Sequence, residues 1–165
     1  MMAAIPHPMP GPMPDVETLV PHSGQMVLLE RVVSADAENL CAEVRIHTGS
    51  VLATEQGVGS WVGIEYMAQA IAAHAGYLAR LAGAPVKIGF LLGARRYEAQ
   101  LPLFVDGSVL QVHVQQALQG ENGLGAFECR IEMAGAVLAQ ATITVFQPED
   151  AKQFLQESMN GAQHE

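Results

Sequence analysis

WVGIEYMAQAIAAHAGYLARLAG, residues 61–83, decides the fold. The stretch is rich in strong helix formers, holds no proline, follows a capping residue in Ser60 and runs into a Gly83-Ala84-Pro85 stop. It predicts one long helix. Its apolar residues fall nearly all round the helix axis, which suits a membrane span or a helix wrapped by other structure. Glu65, Gln69, His74 and Arg80 lie inside it, and each would be costly in hydrocarbon. The sequence therefore predicts a buried helix in a water-soluble core and no membrane span.

Working outward, the period on both sides is that of strands. Residues 25–34 (QMVLLERVVS) and 40–47 (LCAEVRIH) read as a hairpin about a polar turn. A loop rich in Gly, Ser and Thr, residues 48–60, leads into the helix. After it, residues 86–98, 108–118, 124–133 and 136–147 read as four more strands, and the breaks between the last three are too short for crossovers. The order β-β-α-β-β-β-β predicts an α+β fold with an antiparallel sheet. Residues 15–148 form the expected domain. Residues 1–14 hold five of the nine prolines and read as a disordered tail, residues 15–19 as a single helical turn begun by Asp15, and residues 149–165 as a tail or short helix.

The composition narrows the partners. Half of the residues are hydrophobic and only 15% are charged, an apolar balance that predicts a covered subunit face and hence a dimer or larger oligomer. A net charge of −9 disfavours nucleic acid and anionic membrane. Cys41 and Cys129 lie in strand-like runs and outside any CxxC, so they read as core filler. With no signal peptide recognisable, the cytoplasm is the expected compartment. His7, His74 and His113 have no second ligand at metal spacing, and no metal site is predicted. No serine stands in a GxSxG context, and Gly57 and Gly59 make no phosphate-binding fingerprint.

Glu65 is the candidate functional group. It stands one turn into the helix with Gln69 on the same face at i+4. Burial would favour its neutral form and the helix start its ionised form, a balance suited to proton exchange. A structural hydrogen bond to a neighbouring loop accounts for it as well. The helix start offers the N–H groups of Ser60, Trp61 and Val62 to a carbonyl oxygen, although from the residues alone plain capping by Ser60 is the favoured reading.

Three segments carry a family resemblance: VPHSGQMVLLERVV (20–33), GIEYMAQAIAAHAG (63–76) and GARRYEAQLPLFVDGSVLQVHV (93–114). Together they resemble the 3-hydroxyacyl-carrier-protein dehydratases of the FabZ type over about residues 19–147. The resemblance implies a hot-dog fold, a sheet wrapped about a central helix, with protomers paired and active sites at their interface. It implies dehydration of a 3-hydroxyacyl thioester carried on phosphopantetheine, with no metal or redox cofactor. In that chemistry a histidine takes the C2 proton, and an acid from the other protomer protonates the departing C3 hydroxyl. Glu65 matches the acid, and the backbone around Ser60 and Trp61 matches the thioester-holding helix start; Val62 and Gln69, the latter placed to orient Glu65, complete the candidate substrate-binding set.

One departure stands out. The family's histidine lies in an HFPG motif about fourteen residues before the acid, where this chain has Val51 within TGSVLATE. His47, eighteen residues before Glu65, and His22 are the substitutes the sequence offers, although His22 matches the family's upstream PH segment, whose resemblance implies a structural role. The wording GIEYMAQ, GFLLGARRYE and ENGLGAFECRI is similar to the variant dehydratase subunits of aryl-polyene pigment clusters, which implies a heterodimer with a second hot-dog protein that brings the base. An acyl carrier protein is the other implied partner, and Arg80, Lys87, Arg95 and Arg96, half of the basic residues within seventeen positions, form a candidate docking patch for it. A hot-dog acyl thioesterase, or a non-catalytic subunit that binds carrier protein, is the alternative reading.

Overall fold

The structure, a computed structural model, describes residues 12–162. The expected disordered tail over residues 1–14, His7 included, lies outside the described residues except for 12–14. The long helix is α1, Gly63–Leu81. Around it lies a six-stranded antiparallel sheet built from β1 (Arg31–Ala35), β2 (Asn39–Arg45), β4 (Phe90–Ala99), β6 (Val109–Gln119), β7 (Leu124–Met133) and β8 (Ala136–Phe146). Its spatial order is β1-β2-β6-β7-β8-β4, so β1 and β4 are its edges.

Period-two alternation explains which face turns inward. Leu40, Ala42 and Val44 of β2, Leu110, Val112 and Val114 of β6, and Phe127, Cys129 and Ile131 of β7 are buried together with Tyr66, Met67, Ala70, Ile71 and Ala73 of α1. On the outer face charged side chains pair instead, across β1 and β2 and along β7 itself. Arg31 meets Glu43 at 2.9 Å, and Arg130 meets Glu132 at 2.6 Å, holding that carboxyl below its usual range. Cys41 and Cys129 are both buried and unpaired with each other, and burial pushes the Cys129 thiol up to about 12.

The α1 backbone approaches the N-terminal segment closely. A Cβ on Gly76 would collide with the Leu19 carbonyl, so only glycine lets residues 19–20 lie against the helix. Those residues follow a short 3₁₀ turn, Val16–Thr18, at the expected place.

Three expectations change. Residues 25–34 are not one strand: Gly24–Met26 make a 3₁₀ turn and pairing starts only at Arg31. The reason is visible in the hydrogen bonds, because the Gln69 side chain takes the backbone of Met26 and Leu28 that a sheet neighbour would otherwise satisfy. The strand expected from residue 86 begins at Phe90. The stretches read as plain loop, 48–60 and 101–107, contain a small ladder of β3 (Gly57–Gly59) with β5 (Leu103–Val105). Three-residue strands are too short to show a period, and Gly57 sits at φ +144 where a Cβ would strike Phe104 O. The C-terminal segment forms α2, Ala151–Gly161, capped by Asp150 and seated through Phe154 on Phe90 and Phe146.

Candidate active site

Gln69 organises the start of α1. It is fully buried, and its amide is saturated: Nε2 donates to Met26 O at 2.7 Å and to Glu65 Oε1 at 3.0 Å, while Oε1 accepts from Leu28 N at 2.8 Å. The i+4 spacing read in the sequence thus becomes a strut from the 26–28 segment to the Glu65 carboxylate. The Glu65 side chain is 43% exposed, so it is presented rather than buried. On its other side stands His22, with Nε2 3.7 Å from the same Oε1 atom. His22 Nδ1 is buried and has no hydrogen-bond partner among the described residues.

Glu65 and His22 share one end of a cavity of about 410 Å³. Its inner wall is a stripe of small residues on α1, Ala68, Ala72, Ala75 and Ala79, and its outer wall is mostly apolar, with Phe127, Leu124, Val145 and Phe90 interrupted by Gln116, Gln119 and Gln147. From Glu65 to Ala79 the helix rises about 21 Å at 1.5 Å per residue. The shape is a long slot that begins at a carboxylate, and it fits an extended acyl chain. The stripe was legible in the sequence as alanines at i, i+4, i+7 and i+11, a signal read there only as helix propensity.

The helix start is more committed than the sequence suggests. A 3₁₀ turn, Ser60–Val62, precedes α1, and the Ser60 side chain makes no capping bond. Ser60 N donates to Pro102 O at 3.0 Å, which removes it from the candidate carbonyl-binding set and leaves the N–H groups of Trp61 and Val62. Tyr97 of β4, not singled out from the sequence, donates its hydroxyl to Ser60 O and clamps the turn to the sheet; burial pushes that phenol up to about 12. The Trp61 side chain is exposed, as are those of Met26 and Leu52 on the neighbouring segments.

His47 is not brought to Glu65. It closes its own turn, accepting Gly49 N on Nδ1 at 3.0 Å, and lines a different cavity with Ser50, Val51 and Tyr66. His74 is buried, with Nε2 3.1 Å from Asp36 O, and burial pulls its imidazole below the usual range. His113 faces Glu132 at 3.4 Å on the outer side of the sheet. The four basic residues separate. Arg80 donates to Thr18 Oγ1, and Lys87 lines the far end of the Glu65 cavity. Arg95 lies opposite Thr142 in the pairing of β4 with β8, and Arg96, at a bulge in β4, lines a polar groove on the outer face with Glu128 and Arg130.

No helix among the described residues is long and apolar enough to cross a membrane. Comparison with known proteins gives the fold and the family. Among solved structures the chain is similar to the dehydratase heterocomplex ApeI:P from Xenorhabdus doucetiae, with 31% identity, 88% of this chain and 97% of that chain covered, and a TM-score of 0.80. Similarity of fold alone extends to a hypothetical thioesterase protein with coenzyme A from Streptococcus pneumoniae (16% identity, 71% and 84% covered, TM-score 0.54). It extends also to a mutant of the phenylacetic acid degradation protein PaaI from Thermus thermophilus (13%, 70% and 90%, 0.52). A search of curated proteins gives no match. The wrapped helix is thus that of the hot-dog fold. The family model for the ApeP dehydratase matches residues 14–156, nearly the whole described chain, and the protein belongs to the ApeP-like dehydratase family.

Proposed function

We propose that this chain is the acid-bearing subunit of a heteromeric dehydratase that removes water from a 3-hydroxyacyl thioester on an acyl carrier protein of an aryl-polyene pathway. The observation that carries the reading is the placement of Glu65: a half-exposed carboxylate, oriented by a buried amide, at the head of a mostly apolar slot. The similar heterocomplex of Xenorhabdus doucetiae supports a second subunit.

In this reading the acyl chain lies along the alanine stripe of α1, and the thioester oxygen accepts from the N–H groups of Trp61 and Val62. A histidine of the second hot-dog protein takes the C2 proton, because this chain has Val51 where the family has its own. The C2 electron pair forms the C2=C3 bond, the C3–O bond breaks, and Glu65 gives its proton to the departing hydroxyl, which leaves as water. Glu65 ends as a carboxylate and the histidine as an imidazolium; proton return through solvent resets both.

The test is dehydration of a 3-hydroxyacyl carrier protein by the chain alone and by its complex with a hot-dog protein that bears an HFPG histidine. Turnover confined to the complex, and lowered at least about a hundredfold by Glu65→Gln, is the expected result. Equal turnover by the isolated chain would remove the need for a partner base, and a free acid as product would make the protein a thioesterase. For carrier-protein docking, Arg95→Glu with Arg96→Glu should raise KM for the carrier-bound substrate and spare a short thioester analogue; equal effects on both would reject it.

A further inference from the structure

His22 is close to Glu65, yet its geometry does not suit the base of this reaction. A base and an acid that act on neighbouring carbons must each come within hydrogen-bond reach of their own substrate atom. His22 instead stands against the acid itself, on the same oxygen that Gln69 holds. Two nitrogens therefore converge on Oε1, and Oε2 is the oxygen left for substrate.

The unpartnered Nδ1 says which nitrogen of His22 carries the hydrogen. A buried N–H without an acceptor is costlier than a buried lone pair without a donor. With Nδ1 buried and unpartnered, the neutral ring places its hydrogen on Nε2, facing Glu65. The separation of 3.7 Å is longer than a formed hydrogen bond, and contacts of this kind in ligand-free sites tighten when substrate is bound.

We infer that His22 is a positioning residue: together with Gln69 it makes a two-donor clamp on Glu65 Oε1, which confines the acid's proton to Oε2, the oxygen that faces the substrate. An oxygen that accepts two N–H bonds has no room to carry a hydrogen of its own. The carboxyl is thus a donor in one direction only. After the proton has left, the same two donors stabilise the charge that remains. The inference rests on the acid reading of Glu65 and assigns His22, offered by the sequence as a substitute base, to a different task.

Two measurements decide it. The first needs no turnover: imidazole nitrogen shifts of the protein labelled with ¹⁵N at histidine, assigned with a His22→Gln sample. The expected signature is a neutral Nε2–H ring whose Nε2 shift changes in Glu65→Leu while the tautomer stays the same. A neutral Nδ1–H ring in the wild-type protein overturns the clamp, whether or not the complex dehydrates anything.

The second is kinetic, on the complex with its hot-dog partner. His22→Phe should lower kcat about tenfold, the effect of one hydrogen bond to a charged group, at unchanged KM. His22→Gln, which retains an N–H donor of similar reach, should recover most of that loss. Equal losses in the two variants would show a packing role and overturn the proposal. A wild-type complex with no dehydratase activity would instead sink the proposed function, and the tautomer would then decide the clamp on its own.

Discussion

Gln69 carries two loads at once, because one amide satisfies the incoming segment and aims the carboxylate. Replacing it with Leu leaves the part-buried Met26 O and Leu28 N without their side-chain partner, at a cost of about 1–3 kcal/mol. Urea denaturation should register that loss, and the complex should lose activity with it. His74 is the other buried polar group on α1, and its linkage has a definite sign. Its folded imidazole titrates below the unfolded value near 6.5, so the unfolded chain binds a proton that the folded chain refuses. Its share of stability is present above about pH 6.5 and is lost as the pH falls through the lower folded value. His74→Gln should therefore flatten the decline of Tm between neutral and mildly acidic pH. Of these residues, Glu65 and Gln69 were legible in the sequence because i, i+4 spacing is a local fact. The approach of His22 was not, since it depends on where residues 19–22 cross the helix, and the sequence shows only the Gly76 that permits the crossing.

The elements most legible from sequence are those with many residues in one period. The helix and the strands β6, β7 and β8 repeat their pattern long enough for burial to dominate. The misread N-terminal strand failed for a physical reason: its backbone is satisfied by a side chain, and no local pattern reports a partner 41 residues away. The fit of α1 against residue 19 is equally unforgiving. Gly76→Ala drives a methyl into the Leu19 carbonyl and should cost about 3 kcal/mol, at the upper end for overpacking. A fall in the urea midpoint at unchanged slope would measure it. Tyr97→Phe is milder. It removes one bond to Ser60 O and should cost about 1 kcal/mol. Circular dichroism melts are sensitive enough to see it.

For the whole molecule, the apolar composition anticipated a covered face, and the sheet shows one candidate for it. β4 is an edge strand paired on one side only, and its Leu91 and Leu92 are exposed beside Val86 and Ile88. Leu91→Lys with Leu92→Lys should abolish co-purification with the proposed partner subunit while leaving the far-ultraviolet spectrum intact. If the complex survives both charges, assembly uses another face. The same strand carries a consequence for the cell that makes it. An unpaired edge with exposed leucines is a template for wrong pairings as well as the right one. A cell that translates more of this chain than of its partner would accumulate the surplus as aggregate or lose it to proteolysis. If this chain works in the proposed heteromer, balanced synthesis of the two polypeptides becomes part of what keeps it folded.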